Sequence, residues 1–150
     1  MGKYQFNKDI IFGEMGEQIV AQDLQKLGFN ILNFNKNYLY DINTEIYGIN
    51  YKFEVKTDEY CTPEKDTGNM FIELESRGKR SGLNTTEAHI FVYCYVKLGQ
   101  IWYINVDRLK RLLWNEKMSV NLNCGDKGSN TVGVLLLRAK FIEHFKVRKI

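Results

Sequence analysis

Residues 50–56 read Asn50-Tyr51-Lys52-Phe53-Glu54-Val55-Lys56. Successive side chains of a strand point to opposite faces, so Tyr51, Phe53 and Val55 share one face. Asn50, Lys52, Glu54 and Lys56 share the other. An apolar face therefore anchors the strand, while Glu54 and Lys56 stand side by side on the polar face. Upstream, Leu39 to Tyr47 also has strand character, and the short turn around Gly48 to Asn50 predicts an antiparallel hairpin. The register decides where Asp41 lies. A turn over Tyr47-Gly48 sets Asp41 opposite Glu54, and one over Gly48-Ile49 sets it opposite Lys56. Both put Asp41 on the same face as the pair, whereas a three-residue turn would break the arrangement.

The flanking sequence supplies the rest of the fold. Asp9 to Leu27 reads as a helix stopped by Gly28. At about 100° per residue, Phe12, Met15, Ile19, Val20, Leu24 and Leu27 form one apolar arc. Asp23 falls inside that arc, and nothing in the sequence accounts for it. Strands are predicted over Phe29–Phe34, Met70–Glu75, Ile90–Val96, Ile101–Val106 and Val132–Leu137, with a polar loop over Asp58–Asn69 and a short helix near Thr85–Ala88. Asp107 is expected to cap a helix running to Trp114, and a final amphipathic stretch to form a terminal helix. This order predicts an α/β chain with one mixed central β-sheet flanked by helices, in a single domain over residues 1–150.

The bulk properties bound the function. A 44% apolar share gives 150 residues enough material for a core and argues against disorder. No apolar run approaches the roughly 18 residues a membrane span needs. The opening MGKYQFNKDI lacks the apolar stretch of a secretory signal, so a cytoplasmic location is expected. A net charge of +3 permits a polyanionic partner without demanding one. Arg77, Lys79 and Arg80 cluster in a Gly/Ser-containing loop, and Arg138, Lys140, Lys146, Arg148 and Lys149 crowd the end of the chain. Both patches fit nucleic acid, and both are small enough to be solvated surface charge. Cys61, Cys94 and Cys124 are unpaired in spacing and read as reduced structural thiols. His89 and His144 lack metal-ligand spacing.

Two converging carboxylates beside a lysine suit chemistry on phosphate. A hard divalent cation such as Mg²⁺, with Mn²⁺ as a substitute, prefers carboxylate oxygens and keeps positions for water and phosphate. Held there, it polarises a phosphoryl oxygen and lowers the pKa of bound water. The neighbouring ammonium orients that water or offsets the charge of the pentavalent transition state.

A helix, a hairpin carrying Asp41, and then Glu54-Val55-Lys56 resemble the PD-(D/E)XK nuclease superfamily, which includes restriction enzymes, archaeal Holliday-junction resolvases and some homing endonucleases. Tyr40 stands where the motif's proline would be. The run from Gly68 to Ala88 also looks like small phage-type nucleases of this superfamily. The resemblance implies a restriction-endonuclease-like core and a Mg²⁺-dependent DNA endonuclease, with Asp41 and Glu54 as metal ligands, Lys56 acting on the attacking water, and Arg77, Lys79 and Arg80 contacting DNA. Members often add a glutamate from the first helix, placed roughly three turns before a closing Gly-aromatic pair. Gly28-Phe29 here points back to Glu17. Helical geometry agrees, because Glu17 lies at the edge of the apolar arc, about 20° from Leu24, while Glu14 faces solvent.

Other assignments stay open on sequence alone. Glu73 reads as a surface carboxylate or an additional ligand, and Phe91, Tyr93 and Tyr95 as strand packing or a base-stacking platform. One site per chain makes a homodimer or larger symmetric assembly the expected means of cutting both strands. The rival functional reading is a non-catalytic nucleic-acid-binding domain that keeps the nuclease fold.

Overall fold

A computed structural model describes residues 3–35, 37, 39–116, 120–121 and 130–150. Helix α1 (Lys3–Lys26) leads into β1 (Asn30–Phe34), β2 (Ile42–Ile46) and β3 (Ile49–Asp58). There follow β4 (Asn69–Ser76), β5 (Lys79–Arg80), β6 (Ile90–Tyr95), β7 (Gln100–Asn105), α2 (Val106–Asn115), β8 (Val120–Asn121), β9 (Val132–Leu137), α3 (Arg138–Phe141) and β10 (Lys146–Lys149). Six strands in the order β1-β2-β3-β6-β7-β10 make the central sheet, in which only β3 and β6 pair in parallel. The mixed central sheet flanked by helices is therefore as predicted.

Several expectations need correction. The described residues form two sheets, because β5-β4-β9-β8 make a second one. The terminal helix is one α turn continued by a 3₁₀ turn over Ile142–His144, and the edge strand β10 follows it. The predicted helix at Thr85–Ala88 is a 3₁₀ turn over Gly82–Asn84 instead. Helix α2 is capped by Asn105, whose side chain accepts from the Arg108 N–H, and not by Asp107. Helix α1 begins before Asp9, and Met15, assigned to its buried arc, is exposed. Cys124 lies outside the described residues.

The two faces of the central sheet carry separate cores. Val20, Ala21 and Leu24 of α1 pack on Ile42, Phe53, Val92, Cys94, Ile101 and Tyr103. Each large apolar side chain fully buried there contributes about 1.5–3 kcal/mol. Phe91, Tyr93, Tyr95, Trp102 and Ile104 face the opposite way, against Met70, Ile72 and Leu136 of the small sheet and Leu109 and Leu112 of α2. The three aromatics of β6 are thus packing residues, none more than 6% exposed, and not a platform for bases.

Asp23 now has its explanation. It is buried, accepts a 2.7 Å hydrogen bond from the Tyr103 hydroxyl, and takes both of its contacts with Arg148 through Nε, at 2.9 and 2.7 Å. Burial, followed by this bond to Asp23, pushes the Tyr103 hydroxyl's pKa well up. A polar clamp therefore joins α1 to β7 and β10 through the apolar layer, and its geometry satisfies the charge that burial would otherwise penalise. The same need consumes Arg138, which pairs with Asp66 and lies over the rings of Tyr95 (4.6 Å) and Trp102 (5.9 Å). Two of the five basic residues at the end of the chain are thus internal braces and not part of a surface patch.

Helix α1 crosses the sheet at Gly16, where an added Cβ would overlap the Thr57 side chain. Gly13, one turn earlier, has open space around it. The two glycines should respond oppositely to alanine. At Gly13 the substitution gains helix propensity and should stabilise by about 0.5–1 kcal/mol. At Gly16 the same gain is outweighed by overpacking, and a net loss of about 1–2 kcal/mol is expected in urea denaturation. Equal effects at both positions would remove the close crossing.

Candidate active site

The hairpin between β2 and β3 settles the register. Tyr47 (φ 51°) and Gly48 (φ 76°) form a two-residue turn with both φ values positive, the type I′ geometry that matches strand twist. Pairing then runs from Ile46–Ile49 to Ile42–Phe53. Of the two registers considered, the turn over Tyr47-Gly48 is the one found.

Asp41 nonetheless departs from simple cross-strand pairing. Its N–H reaches the Phe53 carbonyl at 2.9 Å, one residue out of the ladder's register. Past that step, the two-residue repeat of an antiparallel pair would offer the Val55 N–H to the Leu39 carbonyl. The Asp41 carboxylate takes it instead, Oδ2 accepting at 2.7 Å. The acid is thereby fixed against the backbone of the residue between Glu54 and Lys56.

Glu54 is held from the other side. Its Oε2 accepts from the Thr86 hydroxyl at 3.2 Å. Among the described residues, each carboxylate spends one oxygen on these protein bonds and keeps the other for a ligand. Burial, then the charge of Asp41, raise the Glu54 pKa to about 7, with Glu17 adding to the rise and Thr86 and Lys56 opposing it. Asp41 is also raised, chiefly by burial, against the Val55 N–H and Lys56. Two acids in one half-buried place resist ionising together, and a cation between them would relieve that resistance.

The donor set fits a hard divalent ion. It is all oxygen, and no three His, Cys, Asp or Glu side chains among the described residues close on one point as a ready cage. A pair of carboxylates leaving positions for water and phosphate is how Mg²⁺ is commonly bound. His89 is not available to it, because Nδ1 accepts from the Lys52 N–H at 2.9 Å. Tyr40, at the motif's proline position, packs at the core margin with the Lys52 ammonium 4.7 Å over its ring.

Glu17 and Glu14 both border a groove that also reaches Asp41. Only Glu17 is close enough to weigh on Glu54's ionisation. Among the described residues, it does not join Asp41 and Glu54 in a three-carboxylate cluster that could hold a metal ion.

Beside Glu54 lies a cavity of about 640 Å³. Glu54, Lys56 and Phe91 form one wall, and Lys79, Arg80, Ser81 and Gly82 form the other. Lys79 and Arg80 belong to the β4–β5 hairpin, whose tip is Arg77-Gly78, so Arg77 sits outside the cavity's lining. Glu73 also lines it, with Oε2 accepting from the Ser81 hydroxyl at 2.9 Å. Sequence reasoning missed the contacts of Ser81 and Thr86, since neither has a local signal beyond its place near a basic loop.

No family model matches the chain, and no curated protein matches it in sequence. Its fold is similar to that of a solved bacterial homing endonuclease, I-Ssp6803I, with a TM-score of 0.50 and 22% identity. The match covers 65% of this chain and 68% of the other. Similarity at that identity is similarity of fold.

The raised Glu54 acid makes a stability prediction for the metal-free protein. Between its ordinary value of 4.5 and about 7, the folded state keeps a proton that the unfolded state has lost. Stability therefore falls as pH rises through that window. Glu54→Gln, neutral throughout, should be more stable than the parent by about 1–3 kcal/mol above pH 7.5. The difference should vanish towards pH 4.5 in EDTA-containing urea titrations. A pH-independent difference would contradict the burial argument.

Proposed function

We propose that the chain is a Mg²⁺-dependent DNA endonuclease of the PD-(D/E)XK kind, hydrolysing phosphodiester bonds in double-stranded or branched DNA. The observation that carries this reading is the meeting of Asp41 and Glu54 beside Lys56, with Glu54 and Lys56 lining a cavity that Lys79 and Arg80 also line. A domain that only bound a polyanion would have no use for two neighbouring half-buried acids, one of them raised by the other, beside a basic wall. The fold's similarity to a homing endonuclease is in keeping with the proposal.

In this reading Asp41 and Glu54, held in place by Val55 and Thr86, would be the residues that hold the cation. Once bound, the cation supplies Lewis-acid polarisation of the scissile phosphate and a more acidic water. Lys56 orients the attacking water and offsets the negative charge that grows on phosphorus. Glu17 contributes through water at the edge of the site. Lys79 and Arg80 take the flanking phosphates, which position the strand without reading its sequence. Arg77, at the hairpin tip, contacts the backbone further along. Because each chain has one such site, cutting both strands of a duplex calls for a homodimer or larger symmetric assembly.

The test is cleavage of supercoiled plasmid and of a synthetic four-way junction with Mg²⁺, Mn²⁺ or EDTA. Cutting should require the metal and should fall at least about 100-fold in Lys56→Ala, with Mn²⁺ binding and the folded state retained. Asp41→Asn should lose metal binding and cleavage together, since a neutral amide is a poor ligand for a hard dication. Normal cleavage by both variants would sink the site assignment.

The basic wall makes a separate prediction. The Lys79→Ala, Arg80→Ala double variant should weaken DNA binding and flatten the dependence of log K on log salt by about 2, one unit per lost phosphate contact. The Lys146→Ala, Lys149→Ala double variant, altering charges remote from the cavity, should leave that slope unchanged. Fluorescence anisotropy with Ca²⁺ in place of Mg²⁺ reads both, and equal slopes in the two variants would argue against the cavity as the phosphate path.

A further inference from the structure

Thr86 sits in the connection that leaves the 3₁₀ turn and enters β6. Its hydroxyl has three neighbours. It accepts from the Ala88 N–H at 3.1 Å, and has one proton to give and two acceptors in reach, the Leu39 carbonyl at 3.1 Å and Glu54 Oε2 at 3.2 Å. Leu39 and Glu54 belong to the two arms that carry the acids. The Leu39 carbonyl is the group the Val55 N–H would have met had the β2–β3 pairing continued. Thr86, helped by the Glu87 N–H at 2.8 Å, holds that carbonyl away, which leaves the Val55 N–H to Asp41.

Resting on the nuclease reading above, we propose that Thr86 is a positioning residue for the cation site. Lying between the Leu39 carbonyl and the Glu54 carboxylate, with its one proton shared between them, its hydroxyl fixes the Glu54 side chain relative to the segment that carries Asp41. The physical argument is one of shared geometry. A carboxylate on a flexible side chain needs an external hydrogen bond to hold one rotamer, and groups that orient metal ligands in this way typically account for about 10–100-fold in affinity. Thr86 does this for Glu54 directly and for Asp41 through the path of its backbone. Its β-branched side chain is itself stiff at χ1, so the hydroxyl is held in place by the residue's own rotamer preference as well as by the Ala88 N–H.

Three variants test the proposal. Thr86→Val keeps the volume and removes the hydroxyl; Thr86→Ser keeps the hydroxyl; Thr86→Ala removes the bridge without setting a methyl group against the carbonyl. Mn²⁺ affinity is measured by electron paramagnetic resonance without DNA, and kcat and KM for plasmid cleavage are measured separately. Thr86→Val should bind Mn²⁺ about 10–100-fold more weakly and lose kcat, with KM for DNA within about twofold of the parent, and Thr86→Ser should stay within about threefold on every measure. Should Thr86→Val fail to fold, Thr86→Ala carries the same expectation. A Val or Ala variant that binds Mn²⁺ like a parent protein that binds and cuts overturns the positioning role alone. So does a Ser variant as impaired as Val, which would make the residue's role steric. A parent protein that neither binds Mn²⁺ nor cuts DNA overturns the nuclease reading, and the positioning role with it.

Discussion

Val55 presents its backbone N–H towards the incoming strand, and the group that receives it is the Asp41 carboxylate and not a carbonyl. A buried N–H must be satisfied, so the departure of β2 from the ladder at this point depends on the side chain that takes the carbonyl's place. Three consequences follow from the one substitution. Asp41 is immobilised against the strand that carries Glu54 and Lys56. The Leu39 carbonyl is released to Thr86 and Glu87. The strand pair opens at the level of Glu54, where unbroken pairing would have closed it. Steps of this kind in a ladder recur beside active sites because they re-aim a side chain while the sheet on either side stays regular.

The cost of the arrangement is electrostatic and is confined to the site. Burial and the nearby Asp41 charge hold Glu54 half-protonated near neutrality. Elsewhere the molecule neutralises its buried charges. Asp23 has Arg148 and Tyr103, and Arg138 has Asp66 and two aromatic faces. Where the charges serve packing they are closed in ion pairs, whereas Asp41 and Glu54 have the Lys56 charge near them and, among the described residues, no such ion pair.

What could be read from the sequence was what is local. Alternation in residues 50–56 gives the facing of Glu54 and Lys56 directly, since the period of two is a property of any strand. Tyr47-Gly48 gives the turn, and Gly28 the end of α1. The helical wheel separates Glu17, at the edge of the apolar arc, from Glu14. The rest depends on contacts between distant residues. Asp23 finds Tyr103 and Arg148, 80 and 125 positions away, and no window along the chain contains both ends of that clamp. Strand β10, with its three basic residues, reads as a polar tail until β7 supplies its hydrogen-bonding partner. The second sheet was missed because β4 and β9 are ordinary strands, and nothing in either says that they pair with each other and not with the central sheet. The step out of register at Asp41 has no propensity signature at all.

The parallel pairing of β3 with β6 explains why the crossover reaches the site. Parallel neighbours cannot be joined by a tight turn, so the chain must leave the end of β3 and return to its start. In most such units a helix makes that journey and covers the sheet with a continuous face. Here the journey is made by β4, its hairpin partner β5 and a 3₁₀ turn, which leave a cavity between the hairpin and the sheet. The register then fixes where the crossover lands. Ile90 pairs with Phe53 and Phe91 with Glu54, so β6 begins one residue short of the Glu54 level. Residues 86–89 must therefore arrive alongside the start of β3. There His89 closes on Lys52 in both directions, its N–H on the Lys52 carbonyl and its Nδ1 on the Lys52 N–H. With His89 pinned to Lys52, the residues just before it are carried past Leu39 and Glu54. The basic hairpin and the Thr86 hydroxyl thus reach the two acids by a single topological requirement, the return of the chain to the head of a parallel strand.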